Sequence, residues 1–308
     1  MESVALRLNF ITRRLTRLRK NSGFSKKPGG LRNKTAALVS FPLEGIKKQT
    51  MQDRYSGDVG DFGKFSLLRS LFSGHQNKLG VVWYLFPDEF HNVDGKHINY
   101  LNKIKYQTCD PGLCEKLSDV VHGARLVMSL ERGGILQTNT IYFSERLDFH
   151  KKCSTQRKKD KESRLLNRGA WLKRAIELVE PCNVIFLDPD NGLEIDSCKK
   201  LSQMKSGKYA YYSEIKELSK GKDACVVYHH LNRHKKYGTH ENQIKTRVNE
   251  LRYKIQPNGK IFALRYRPYS PRAYFIISDK AIEKLLRMKI HQFMCGPCGI
   301  FWDGYYEG

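Results

Sequence analysis

The stretch Asn183-Val184-Ile185-Phe186-Leu187-Asp188-Pro189-Asp190-Asn191-Gly192 passes from an apolar run directly into two carboxylates, an amide and a glycine. An unbroken apolar run of this length, closed by turn-forming residues, is the pattern of a strand buried on both faces. It predicts a strand over residues 183–187. Just upstream, Trp171, Leu172, Ala175, Ile176 and Val179 share one face of a helix that Pro181 ends. Downstream the alternation continues, with a segment at 209–218, a strand at 224–228, a helix around 241–251, strands at 260–266 and 273–277, and a helix at 281–288. Upstream, a glycine-rich loop from Tyr55 to Lys64 feeds a helix whose N-cap reads as Asp61. A strand at 79–86, a helix around 99–105, a mixed helical segment at 118–130 and a strand at 135–144 follow. Strands alternating with helices predict an α/β fold with a Rossmann-like, mostly parallel sheet. The short turn Arg267-Pro268-Tyr269-Ser270-Pro271 makes the last strand pair a C-terminal antiparallel hairpin.

The chain has 308 residues, with 55 Lys and Arg against 31 Asp and Glu, for a net charge of +24. Such an excess calls for a polyanionic partner, and nucleic acid, RNA or DNA, comes first because each phosphate contact releases condensed counterions. Residues 1–50 carry +10 of the total, so residues 51–308 are basic in their own right. The opening stretch, with Arg7, Arg13, Arg14, Arg17 and Arg19 among apolar residues, reads as a transit peptide, a basic arm, or an extension ahead of a functional start at Met51. It is expected to lie outside a single α/β domain spanning 51–308, which carries a helical and basic insertion around 88–168. No apolar run is long enough to span a bilayer, so no membrane partner is expected. The expected location is cytoplasmic, or mitochondrial if residues 1–50 are a transit peptide. Within 151–168, eight basic residues face only Asp160 and Glu162. This run is expected to be a mobile, solvated surface, with Lys151, Lys152, Arg157, Lys158, Lys159 and Lys161 as candidate phosphate contacts.

The eight cysteines are expected to be reduced thiols. Cys295-Gly296-Pro297-Cys298 has the spacing of a redox pair but sits far from the first βα turn where that motif works, so it reads as a turn with two free thiols. Zinc would need two more ligands, for which Cys109 and Cys114 would have to come near.

Ligands of open α/β sheets bind beyond the carboxyl ends of the strands. Two polar clusters fall there: Asp188-Pro189-Asp190-Asn191, and His229-His230 with Arg233 and His234. Alternation on a strand turns one of the two adjacent histidines inward, toward a structural role. Asp58, Asp61 and Lys64 are expected to join the site from the N-terminal loop.

Three of these pieces resemble the class I S-adenosylmethionine-dependent methyltransferases, in particular the 23S rRNA adenine-N6 methyltransferases of the large-subunit J type. Gly57, Gly60, Asp61 and Lys64 match the spacing of that family's N-terminal helix start. Asp188-Pro189-Asp190-Asn191 stands where the family has Asp-Pro-Pro-Tyr, with an aspartate and an asparagine replacing the last two residues. Tyr228, the Gln243-Ile244-Lys245 helix and the closing antiparallel pair follow in the family's order. The glycine-rich cofactor loop expected after the first strand is missing, and Pro87-Asp88-Glu89-Phe90 stands there. The resemblance implies S-adenosylmethionine as cofactor, with Gly57, Asp58, Asp61 and Lys64 around it and Asp188, Pro189, Asp190, Asn191 and His229 as catalytic residues. It implies that Asp188 and the Pro189 carbonyl accept hydrogen bonds from a target amine, a matter of positioning. A base taken out of its stack would be the substrate.

A second pattern competes. Asp190, Glu214 and Lys216 spell the core of restriction-type nucleases, in which two carboxylates hold Mg²⁺ and a lysine steadies the attacking water. That alternative requires residues 209–216 to be a strand. A third expectation is a catalytically degenerate fold that only binds nucleic acid.

Overall fold

A computed structural model describes residues 53–74, 77–86, 95–147 and 156–308. The basic extension 1–50, Asp88 and Glu89, and Lys151 and Lys152 lie outside them. The described residues fall in one compact unit. Its centre is a seven-stranded sheet built from β1 (Leu79–Trp83), β2 (Ile141–Phe143), β3 (Val184–Asp188), β6 (Ala224–His230), β7 (Ile261–Tyr266), β8 (Arg272–Ser278) and β9 (Trp302–Glu307). Two further strands, β4 (Gly192–Leu193) and β5 (Tyr209–Ala210), pair in parallel as a small separate sheet. The order across the large sheet is β2-β1-β3-β6-β8-β7-β9. The first four strands are parallel, and β8 runs antiparallel to both β6 and β7. The molecule is thus α/β with a mixed sheet, parallel at its core and antiparallel toward the C-terminus.

Alternation along each strand divides the core in two. On β3, Val184 and Phe186 face a cluster formed with α1 (Val59–Phe72), α2 (Ile104–Cys109), α3 (Pro111–His122), α4 (Val127–Arg132) and α8 (Glu283–Cys295). Ile185 and Leu187 face the opposite cluster, with α5 (Lys158–Val179), α6 (Tyr212–Ser219) and α7 (His240–Ile255). Both faces are covered, which is why the strand is apolar throughout.

Four expectations need correction. The basic run 151–168 is, from Lys158 onward, the start of the 22-residue α5 and not a mobile surface. Its arginines explain the difference, since Arg164 and Arg168 are buried. Arg164 donates to the Ser202 carbonyl at 2.6 Å, and Arg168 grips Glu214 through two nitrogens at 2.5 and 2.9 Å. The N-cap of α1 is Asp58, one turn ahead of Asp61. Residues 209–216 do not form the strand a nuclease core requires, because Tyr212–Ser219 is a helix with Glu214 in its first turn. The cysteines are not all thiols either: Cys109 and Cys298 form a disulfide across 189 residues. It ties the end of α2 to the 3₁₀ turn Pro297–Phe301. Strand β9 was not foreseen, since Gly304 interrupts its alternation, yet it pairs with β7 at the sheet edge. Among the described residues no helix is long and apolar enough to cross a membrane.

Candidate functional site

The parallel register places Trp83, the last residue of β1, beside Asp188, the last of β3. Both border a cleft of about 490 Å³ at the carboxyl ends of the parallel strands. The N-terminus of α1 forms the facing wall. Asp58 Oδ1 accepts the Gly60 and Asp61 amides at 2.7 and 3.1 Å, satisfying two donors that the first helical turn leaves over. Asp61 reaches back, its Oδ2 accepting the Gly57 N–H at 2.8 Å. Gly57 has φ +78°, and a Cβ there would lie 2.6 Å from Val121. A Cβ on Gly60 would stand 2.9 Å from the Arg272 guanidinium, so this glycine makes room for an arginine.

Lys64, in the second turn of α1, joins the two motifs. Its Nζ donates to Asp61 Oδ1 at 2.8 Å and to Asp188 Oδ2 at 2.6 Å, 124 residues away. It also lies 4.8 Å from the centroid of the Trp83 ring. The flanking carboxylates hold its ammonium charged, raising its pKa despite burial, so Lys64 is a fixed cation and not a base. Burial, reinforced by Asp61 and Asp190, outweighs Lys64 at Asp188 and pushes that carboxyl up to about 6. Asp58 is raised for the same reason, desolvation, against the pull of Arg272. Asp190 pairs with Lys208 at 3.2 Å. The Asn191 N–H donates to the Lys208 carbonyl at 2.9 Å, and its side chain hydrogen-bonds the Tyr209 hydroxyl.

The expected residues therefore divide. Asp58, Asp61, Lys64, Asp188, Pro189, Asp190 and Asn191 line one cleft; Gly57 shapes its wall from behind. His229 does not line it. The ring is buried on the opposite face, where Nδ1 accepts the Leu193 N–H at 3.1 Å, which places the ring proton on Nε2. Burial drives its pKa well below the usual histidine value, so it stays neutral. The neighbouring His230 lines the cleft. Glu214 is bound to Arg168 and to the Tyr211 N–H of its own helix, away from Asp190, and Lys216 is exposed. Among the described residues no group of three or more His, Cys, Asp or Glu stands ready to hold a metal ion. Arg157, Lys158, Lys159 and Lys161 are exposed around the start of α5.

The sequence reading missed Trp83, Lys205, Lys208 and Arg272, all lining the cleft. Arg272 had a readable trace, a charge at the head of an otherwise apolar strand. Two polar groups on the wall, the Ser56 hydroxyl and the Trp83 indole N–H, are buried and make no hydrogen bond. Such orphans are costly unless something satisfies them. A larger cavity of about 690 Å³ lies elsewhere, and its Arg69 and Asp110 are committed to each other at 2.8 Å.

Compared with protein-family models and with curated proteins, the sequence matches none.

Proposed function

We propose that this protein is a class I, Rossmann-like S-adenosylmethionine-dependent methyltransferase acting on an amino group of a nucleic-acid base. The observation that carries the reading is the Lys64 bridge, which brings the α1 motif and the Asp188 motif into one cleft. A parallel sheet closed by an antiparallel hairpin, with the cleft at the parallel strand ends, supports it. The donor set fits a nucleoside-bearing cofactor: the cavity is of ligand size, and the orphaned Ser56 and Trp83 groups offer hydrogen-bonding positions. Bound there, S-adenosylmethionine supplies an electrophilic methyl group. The donor set does not fit Mg²⁺ clamped by Asp190 and Glu214, since each carboxylate is held by a different cation.

The chain's own part is positioning. Lys64 occupies Asp188 Oδ2, which leaves Oδ1 to accept an N–H of the target amine and orient its lone pair. With its pKa at about 6, Asp188 is mostly ionised at neutral pH and able to accept that bond. Its partner Lys64 fixes the carboxylate without competing for the methyl group, because it stays protonated.

Calorimetric titration of the full chain with S-adenosylmethionine, and separately with Mg²⁺ and Mn²⁺, tests the proposal. Micromolar cofactor binding, weakened at least tenfold in Asp58→Asn, is the expected result, followed by label transfer from methyl-labelled cofactor to RNA or DNA that Asp188→Asn abolishes. Absence of cofactor binding up to millimolar concentration refutes it. Metal binding dependent on Asp190 would return the nuclease alternative, and neither signal would leave a binding module.

A further inference from the structure

A second groove, of about 370 Å³, opens beside the cleft. One wall is the start of α2 with Lys103, Lys105 and Tyr106; the other is the β7–β8 turn and the Pro297–Phe301 segment, with Arg267, Tyr269 and Phe301. Among the described residues none that lines it is acidic. The rings of Tyr106 and Phe301 stack at 4.1 Å, and Lys105 Nζ hangs 5.6 and 5.5 Å from their centroids. Arg267 is half-exposed, steadied by Asp303 at 3.4 Å and by the Ile300 carbonyl.

Tyr269 stands between the two cavities. It is 40% exposed, and its ring leans on His97, a cleft residue, at 4.3 Å between centroids. Ser270 and Arg272, immediately after it, line the cleft. Its backbone has φ +60°, a left-handed conformation that is strained for a tyrosine. Arg233 holds that conformation by donating to the Tyr269 carbonyl and to Ser270 Oγ. An exposed ring kept in a strained position beside Lys103, Lys105 and Arg267 is an arrangement that stacks bases and tracks phosphates.

We infer that this groove is the track along which a single strand of nucleic acid enters the Asp188 cleft, with Lys103, Lys105 and Arg267 on its phosphates and Tyr269 stacking a base at the threshold. The inference rests on the proposed nucleic-acid function and specifies its substrate as single-stranded. Single-stranded is specified because only an unpaired base can extend the stack of His97 and Tyr269, whose hydroxyl accepts from Lys103 Nζ at 3.4 Å.

The test is fluorescence anisotropy on the full chain with labelled single-stranded RNA, single-stranded DNA of the same sequence, and the RNA duplex. Tyr269→Gly removes the ring and relaxes the positive φ, so the fold is retained; an unchanged melting temperature checks this. It is expected to weaken single-strand binding about tenfold, and Tyr269→Phe to restore it. Lys103→Ala with Lys105→Ala is expected to lower the slope of log affinity against log salt by about 1.4, two phosphates' worth. RNA and DNA are separated by their relative affinities. Single-strand affinity unchanged in both variants, equal loss for the duplex, or an equal loss of polyglutamate binding in Tyr269→Gly overturns the inference. Cofactor calorimetry on Tyr269→Gly separates the two readings. Cofactor binding with no groove effect defeats only the groove, and a groove effect with no cofactor binding defeats only the methyltransferase.

Discussion

Replacing Lys64 with methionine removes one cation and strands two buried carboxylates. Lys64 bonds Asp61 and Asp188 at 2.8 and 2.6 Å, and its methylene stem is buried with them. Removing one partner of a buried ion pair costs about 3–5 kcal/mol, because the charge left behind is unsatisfied. Asp188 can relieve this by taking up a proton, since burial already holds its carboxyl at about 6 and the loss of Lys64 lifts it further. The penalty at pH 8 should therefore be about 3–5 kcal/mol and shrink by about 1.4 kcal/mol per pH unit toward pH 6. Below that, Asp188 is protonated in both proteins and the difference levels off. Urea unfolding followed by tryptophan fluorescence, repeated across this pH range, measures it. Adding Asp188→Asn to Lys64→Met should recover most of the loss. A penalty below about 1 kcal/mol at pH 8, or one that does not change with pH, would show that Lys64 is not the clamp of this site.

In the wild-type protein the raised Asp188 gives stability that is full below its unfolded pKa of 3.8 and lost as pH rises through about 6, and Asp188→Asn should flatten that segment of the profile. His229 has the opposite sign: its depressed pKa contributes stability that is present above 6.5 and lost as pH falls. His229→Ala should reduce the acid sensitivity while costing about 1–3 kcal/mol for the unpaired Leu193 N–H, read from denaturation midpoints at pH 5 and pH 8. Gly192→Ala should destabilise by about 3 kcal/mol or more, because φ is +102° and its Cβ would fall 2.3 Å from His229 Nδ1; near-native stability would contradict that packing. Alkylation without reduction, then peptide mass spectrometry, should recover a Cys109–Cys298 cross-linked peptide, and its absence would restore the thiol reading.

Much of the sheet was legible because buried parallel strands leave continuous apolar runs, as at Val184–Asp188, and helices such as Trp171 to Val179 leave a periodic face. Asp188 and Lys64 could each be read from local motifs, but not their contact, because nothing local encodes a pairing 124 residues apart. Arg164 and Arg168 were misread for a related reason: a run of basic residues looks solvated until Ser202, Tyr209 and Glu214 arrive from later in the chain to receive two of them. The histidine pair shows the limit of alternation. It tells that one ring turns inward, but which one depends on where β4 lies, and Gly192–Leu193 carries too little pattern to show a strand.

The Cys109–Cys298 bond also closes a covalent ring, and the sheet is not contained in it. Strands β2, β3, β6, β7 and β8 lie within the ring, while β1, which sits between β2 and β3, and β9, at the far edge, come from outside it. Tension applied to the two ends of the described chain would therefore draw β1 out from between two ring strands and peel β9 away, then meet a covalent stop. Roughly 600 Å of contour inside the ring would stay hidden from the pulling force until a reductant opened it.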